Sequence, residues 1–149
     1  ARWEQLKAGE RAEKALHSVL DDIPQALPAL MKAHKIQKRC ASVGFDWNTL
    51  GPVLDKVYEE IDEVMHEARQ AVVDESKLEE EIGDLLFATV NLSRHLGHKA
   101  ENALQAANRK FERRFRQVEA IVKQRGLRLE DATLEQMEDA WQQVKKSEI

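Results

Sequence analysis

Apolar residues recur at alternating spacings of four and three along much of this chain, a period that suits helices and little else. Leu54, Tyr58, Ile61, Met65, Ala68 and Val72 form one such stripe, and Leu78, Ile82, Leu85, Leu92 and Leu96, with Thr89 in register, form a second. Leu104, Ala107, Phe111, Phe115, Val118 and Val122 form a third. Each stripe is a seam along which one helix meets another. Strands would need β-branched and aromatic runs, and aromatic residues make up only 5% of the chain. Helices are expected over Trp3 to Leu20, Pro28 to Val43, Pro52 to Val72, Glu75 to Leu96, Lys99 to Gln124 and Leu134 to Ser147. Gly44, Gly97 and Gly126 close three of them, and Asp74 or Ser76 caps the fourth. The expected fold is all-α, a bundle of about six helices.

Carboxylates interrupt the first two stripes. Glu59-Glu60-Ile61-Asp62-Glu63 lies in the third expected helix and Glu81-Ile82-Gly83-Asp84 in the fourth. At about 100° of rotation per residue, Glu60 and Glu63 share one flank of the first seam with Lys56 and Glu67. Glu81 falls almost on the second seam, with Asp84 one step off. In an antiparallel hairpin these flanks converge on a neighbouring helix and crowd four carboxylates into a partly dry space. Like charges at that range raise one another's pKa or recruit a cation. With no histidine or cysteine in the set, Mg²⁺ or Mn²⁺ suits it better than Zn²⁺.

A solvated acidic face is the plainer reading of any single Glu-rich helix in a chain with 34% charged residues. Two acid pairs that each break an apolar stripe argue against it. Glu63-Val64-Met65-His66 offers a Glu-x-x-His of the kind used by di-iron bundles, but that architecture needs two such motifs. None of His17, His34, His95 and His98 has a glutamate three residues before it.

The fifth expected helix adds cations. Lys110 and Arg114, four apart, flank its seam together, and Arg113 lies just outside them. Ordinary surface pairing accounts for such a cluster on its own. Set against metal-held carboxylates, the cations call for an anion, and a polyphosphate fits: arginine offers oxygen atoms a bidentate fork and lysine a point charge.

A chain of 149 residues is one domain's worth. Its net charge of −4 and pI near 5.8 argue against a nucleic-acid-binding module. With no apolar stretch near twenty residues and no secretory leader, no membrane association is expected and a cytoplasmic protein is. Cys40 has no partner for an internal disulfide, which fits a reducing compartment, and nothing around it marks a nucleophile. The chain starts at Ala1 without an initiator methionine, as expected of a fragment of a longer protein.

Glu-Glu-x-x-Glu at Glu59, Glu60 and Glu63, Glu-x-x-Asp at Glu81 and Asp84, and Lys-Phe-x-x-Arg at Lys110, Phe111 and Arg114 together resemble the MazG family of all-α nucleoside triphosphate pyrophosphohydrolases. Leu27-Pro28-Ala29-Leu30, Lys35-Ile36-Gln37 and Val43-Gly44-Phe45-Asp46-Trp47 extend the likeness to the C-terminal catalytic domain of bacterial members, over nearly the whole chain. The resemblance implies that Glu60, Glu63, Glu81 and Asp84 bind the metal, with Glu59 as an additional acid. It implies nucleotide and phosphate contacts from Lys56, Glu59, Glu60, Lys77, Glu80, Asp84, Lys110, Arg113 and Arg114. Trp141 is placed by it near the nucleotide, where it either stacks on a base or packs in a helical stripe with Leu134, Met137 and Val144.

The implied reaction cleaves a nucleoside triphosphate to the monophosphate and pyrophosphate, with water attacking the α-phosphorus, Mg²⁺ offsetting charge, and Lys110 and Arg114 stabilising the departing pyrophosphate. Glu59 and the metal-binding glutamates all remain open as the proton acceptor. In the family a second related domain often precedes this one, so residues 1–149 are expected to be the catalytic part of a two-domain protein. A homodimer is expected as well, because Leu86 and Phe87 lie outside the main stripe of their helix and Val53, Val57 and Val64 widen that of theirs. The competing function is a helical interaction or nucleotide-binding module with a structural divalent ion and no turnover.

Overall fold

The computed structural model describes Gln5 and residues 17–148. Among these residues are five α-helices and no strand: α1 (Ala29–Ser42), α2 (Leu50–Ala68), α3 (Glu75–His95), α4 (Ala100–Gln124) and α5 (Leu134–Ser147), with a 3₁₀ turn at Leu129–Asp131. The all-α expectation holds. The sixth expected helix, Trp3 to Leu20, lies mostly outside the described residues. Its described end, residues 17–20, is a turn, held by the Asp21 carboxylate accepting from the His17 and Ser18 amides.

Two compact units divide the chain at residues 101 and 102, within the first turn of α4. In the first unit α2 and α3 form an antiparallel hairpin whose register can be read from its side chains. Glu67 pairs with Lys77, and seven residues back along α2 and seven forward along α3, Glu60 meets Asp84. α1 packs on α3, where the Gln37 Nε2 amide donates to the Phe87 carbonyl at 2.9 Å. The second unit packs α4 on α5 around Val118, Val122, Ala140 and Val144, with Phe115, Met137 and Trp141 against them.

Element ends follow the local chemistry. α2 starts at Leu50, two residues before Pro52, because a proline in the first turn gives up only an N–H that has no helical partner there. It stops at Ala68 rather than Val72. The Gln70 side chain caps the His66 carbonyl, and Asp74 then opens α3 by accepting from the Lys77 amide. Gly44 takes φ of 89° after α1, and the amides of Gly44 and Phe45 close back onto Ala41 and Cys40. That left-handed step, strained for any other residue, sends Phe45, Asp46 and Trp47 back towards α3.

One expectation about packing is corrected. Leu54, Tyr58, Ile61 and Met65 do not form the seam of α2 within the chain; all four are exposed. The buried residues of α2 are Val53, Glu60 and Glu67, spaced by seven, and those of α3 include Ala88, Val90 and Asn91. The hairpin is turned so that the acidic flank faces inward. Two of its three buried positions on α2 are charged, and each has a lysine partner: Lys56 at 3.1 Å from Glu60 and Lys77 at 3.4 Å from Glu67. Buried carboxylates need such partners.

Candidate active site

The hairpin register brings three acids of the two clusters together. One oxygen each of Glu60, Glu81 and Asp84 lies within 4.8 Å of the other two, close enough to share a cation. Glu60 is the deepest, only 6% exposed. Its Oε1 takes the Lys56 ammonium, and its Oε2 is buried with no hydrogen-bond partner. An orphaned carboxylate oxygen facing two more carboxylates costs free energy unless a cation joins it, so the residues present fit a hard divalent ion. Glu81 reports the crowding. Partial burial and the charges of Glu63, Asp84 and Glu60 push its carboxyl above the ordinary value.

The other acids stand around this group. Glu63 is exposed and does not join it, although its charge reaches Glu81. Glu59 lies 3.5 Å from Lys56 Nζ on the exposed side, and Glu80 is also exposed. Lys56 therefore sits between two carboxylates. The hydrogen bond to Glu60 raises its pKa above the ordinary lysine value, and it stays charged. Lys77 is held by Glu67.

A cavity of about 520 Å³ opens beside Glu60, Asp84 and Lys56 and continues between α1 and α3. Its far end was not foreseen as part of a site. There Arg94 Nη2 donates to Asp46 Oδ1 at 2.9 Å and to Asn91 Oδ1 at 2.8 Å, and His95 Nε2 lies 2.8 Å from the same Asp46 oxygen. Burial alone would raise the Asp46 carboxyl, but the hydrogen bonds from Arg94, His95 and the Trp47 amide outweigh it and hold it below its ordinary value. This cluster ties the Phe45–Trp47 turn to α3. A faint signal did exist in the sequence, since Asn91 follows Asp84 by seven residues and so lies on the same helix face. Gln37 gave none, because nothing in α1 marks one polar residue among many as buried.

Lys110, Arg113, Arg114 and Trp141 lie in the second unit. Arg114 grips the Glu148 carboxylate with both Nε (3.0 Å) and Nη2 (2.7 Å). That hydrogen bond lowers the Glu148 pKa, and the charges of Arg114, Arg113 and Lys110 lower it further. The three cations thus act together on one anion. Trp141 is part of the core of this unit, with Phe111 at 5.3 Å between ring centroids and the Arg114 guanidinium 5.8 Å from its own. Core packing, one of its two expected roles, is present.

A family model described as the MazG nucleotide pyrophosphohydrolase domain matches residues 49–119, the span from the start of α2 to most of α4, and so takes in both acid clusters and the Lys110–Arg114 stretch. The chain carries a MazG domain. Along its full length it is 75% identical to a protein named nucleoside triphosphate pyrophosphohydrolase from Escherichia coli strain K12, and covers 57% of that protein. It is 41% identical over 144 residues to the nucleoside triphosphate pyrophosphohydrolase/pyrophosphatase MazG of Thermotoga maritima, with 97% of this chain and 54% of that one aligned. A Bacillus subtilis protein called uncharacterized protein YabN is 42% identical over 148 residues, 30% of its own length. The chain thus spans about half the length, or less, of the curated relatives it matches. Among the described residues of this MazG domain, no helix is long and apolar enough to cross a membrane.

Proposed function

We propose that this MazG domain hydrolyses nucleoside triphosphates to the monophosphate and pyrophosphate with Mg²⁺ as cofactor. The observation that carries the proposal is the buried, unpartnered Oε2 of Glu60 within reach of Glu81 and Asp84. In this reading Glu60, Glu81 and Asp84 hold the ion, and Glu63 is a fourth ligand on the exposed side. Bound there, Mg²⁺ supplies charge neutralisation at the phosphate oxygens.

The chain's own residues do the remainder. Lys56, fixed between Glu59 and Glu60, offers a positive charge at the cavity's acidic end. Glu59 or one of the metal-binding glutamates takes a proton from the attacking water. The water oxygen bonds to the α-phosphorus, the bond from that phosphorus to its bridging oxygen breaks, and pyrophosphate leaves with the bonding electrons. Lys110, Arg113 and Arg114 are assigned to phosphate oxygens, and Lys77 and Glu80 to the nucleotide, by likeness to the family. The named activities of the E. coli and T. maritima relatives support this choice of substrate and bond.

A homodimer belongs to the same proposal. Leu54, Tyr58, Ile61 and Met65 on α2 and Ile82 and Leu86 on α3 are all exposed, and a stripe of that extent favours a second copy of the chain.

Incubation with ATP and Mg²⁺ followed by product analysis tests the reaction. AMP plus pyrophosphate is expected. ADP plus phosphate would replace the proposal with an ordinary ATPase, and binding without turnover would leave a nucleotide-binding module.

A further inference from the structure

Two carboxylates are buried on α2, and the proposed reaction uses only Glu60. The other, Glu67, lies two turns further on. It is 8% exposed, with the Lys77 ammonium 3.4 Å from its Oε1. A buried carboxylate is a costly way to fill such a place, since apolar side chains of similar volume stabilise a fold as well as a buried ion pair or better. Closing this end of the hairpin therefore does not require a charge at position 67. What a carboxylate does there that an apolar chain cannot do is hold a cation.

The cation it holds is fixed twice. The Lys77 amide donates to Asp74 Oδ1, which sets its backbone in the first turn of α3, and the ammonium is held from across the hairpin by Glu67. The rest of the lysine is open, with 58% of its side chain exposed. Lys77, Glu81 and Asp84 follow one another at spacings of four and three, so the lysine shares the helix face that carries two of the clustered acids. Four residues of α3, about 6 Å along the axis, separate it from Glu81, which is the scale of a run of three phosphates. Lysine and glutamate four apart on a helix also pair with each other when nothing else holds them. A lysine on Glu81 would neutralise an acid that the metal needs and would be lost to the phosphates.

We infer that Glu67 is a positioning residue for the reaction: it holds the Lys77 ammonium off Glu81 and in line with the β- and γ-phosphates of a nucleotide whose α-phosphate lies at the acids. The inference rests on the metal-triphosphate reading of Glu60, Glu81 and Asp84. Glu67 itself touches no substrate, and its effect passes entirely through the lysine.

The probe is α,β-methylene-ATP with Mg²⁺, which carries the triphosphate charge and lacks the bridging oxygen at which cleavage occurs. It is titrated by calorimetry into the native chain, Glu67→Met, Lys77→Ala and the double variant. Methionine keeps the length of the glutamate and leaves behind a lysine that is already mostly exposed, so Glu67→Met is expected to melt no lower than the native chain. Its affinity for the analogue is expected to fall about tenfold, as in Lys77→Ala, while the double variant binds no more weakly than Lys77→Ala alone. Glu67→Gln, which keeps the shape and removes only the charge, completes the same cycle should the methionine variant not fold.

A residue that only supported the fold would cost the same affinity with or without the lysine. Equal losses in both backgrounds, together with a lowered melting temperature, would make Glu67 structural and overturn the inference. Unchanged affinity in Glu67→Met or in Lys77→Ala would overturn it as well. Failure of the native chain to bind the analogue would remove the inference and the metal-triphosphate reading together. Coupling between Glu67 and Lys77 in a chain that makes no AMP and pyrophosphate from ATP would keep the role of Glu67 and remove the hydrolase proposal. Hydrolysis without that coupling would do the reverse.

Discussion

Replacing Asp46 by asparagine removes one charge from the cluster that fixes the cavity's far end and changes almost no volume. In the native chain its Oδ1 accepts from the Arg94 guanidinium and the Trp47 amide and faces His95 Nε2 at 2.8 Å. The Asp46 side chain is 22% exposed and that of Arg94 15%. A fully exposed ion pair contributes about 0–1 kcal/mol. Breaking a fully buried one by removing a single partner costs about 3–5 kcal/mol. At this intermediate exposure, with a charge-assisted hydrogen bond reduced to a neutral one, the loss is about 2 kcal/mol.

That amount lowers the melting midpoint by about 4–8 °C. The sign with pH follows from the direction of the Asp46 shift. A carboxyl held below its ordinary value of 3.8 stabilises the fold at pH above that value, and the contribution is lost as pH falls through the lowered one. Urea unfolding at neutral pH should therefore show the full gap between Asp46→Asn and the native chain, and the gap should close in that acid window. A double-mutant cycle with Arg94→Met should return most of the 2 kcal/mol as coupling, since the two residues share one hydrogen bond. No gap at neutral pH, or one that persists unchanged into strong acid, would refute the reasoning.

Glu60→Gln, Glu81→Gln and Asp84→Asn should each reduce Mg²⁺-dependent turnover by about 100-fold and abolish stabilisation by Mg²⁺ in thermal melts; two variants with near-native activity would show the ligand set to be wrong. EDTA should stop turnover and leave the helical circular dichroism signal unchanged. Arg114→Ala should weaken pyrophosphate binding by about tenfold, and Arg114→Lys should fail to restore it because the bidentate fork is lost. Glu148→Gln, which frees that fork, should strengthen binding, and calorimetry that shows all three variants unchanged would return Arg114 to a structural role. Light scattering should give twice the 17.1 kDa of one chain, falling to a single chain when Tyr58 and Ile61 are both changed to glutamate; a native mass of one chain that is stable on concentration would remove the dimer.

The sequence by itself determined the fold class, five of the helices to within a few residues, and the acids that meet. Periodicity, the glycines at positions 44, 97 and 126 and the cap at Asp74 act over one or two turns, so they are legible without knowing what lies across the fold. The meeting of Glu60 with Glu81 and Asp84 was legible for a related reason: two acid pairs at helical spacing on consecutive helices need only a hairpin to converge. What the tertiary structure decided was rotation. The stripe from Leu54 to Met65 is present as read, yet it faces outward, because a period states that a face exists and not which partner it meets. The same rotation buried Glu60 and Glu67 and left the Glu60 oxygen that asks for a cation. Gln37, Asp46, Asn91 and Arg94 became a site only through α1 crossing α3 and the turn at Gly44. Hydrogen bonds that join residues some fifty positions apart, as Gln37 to Phe87 and Asp46 to Arg94 do, leave no period in the chain to read.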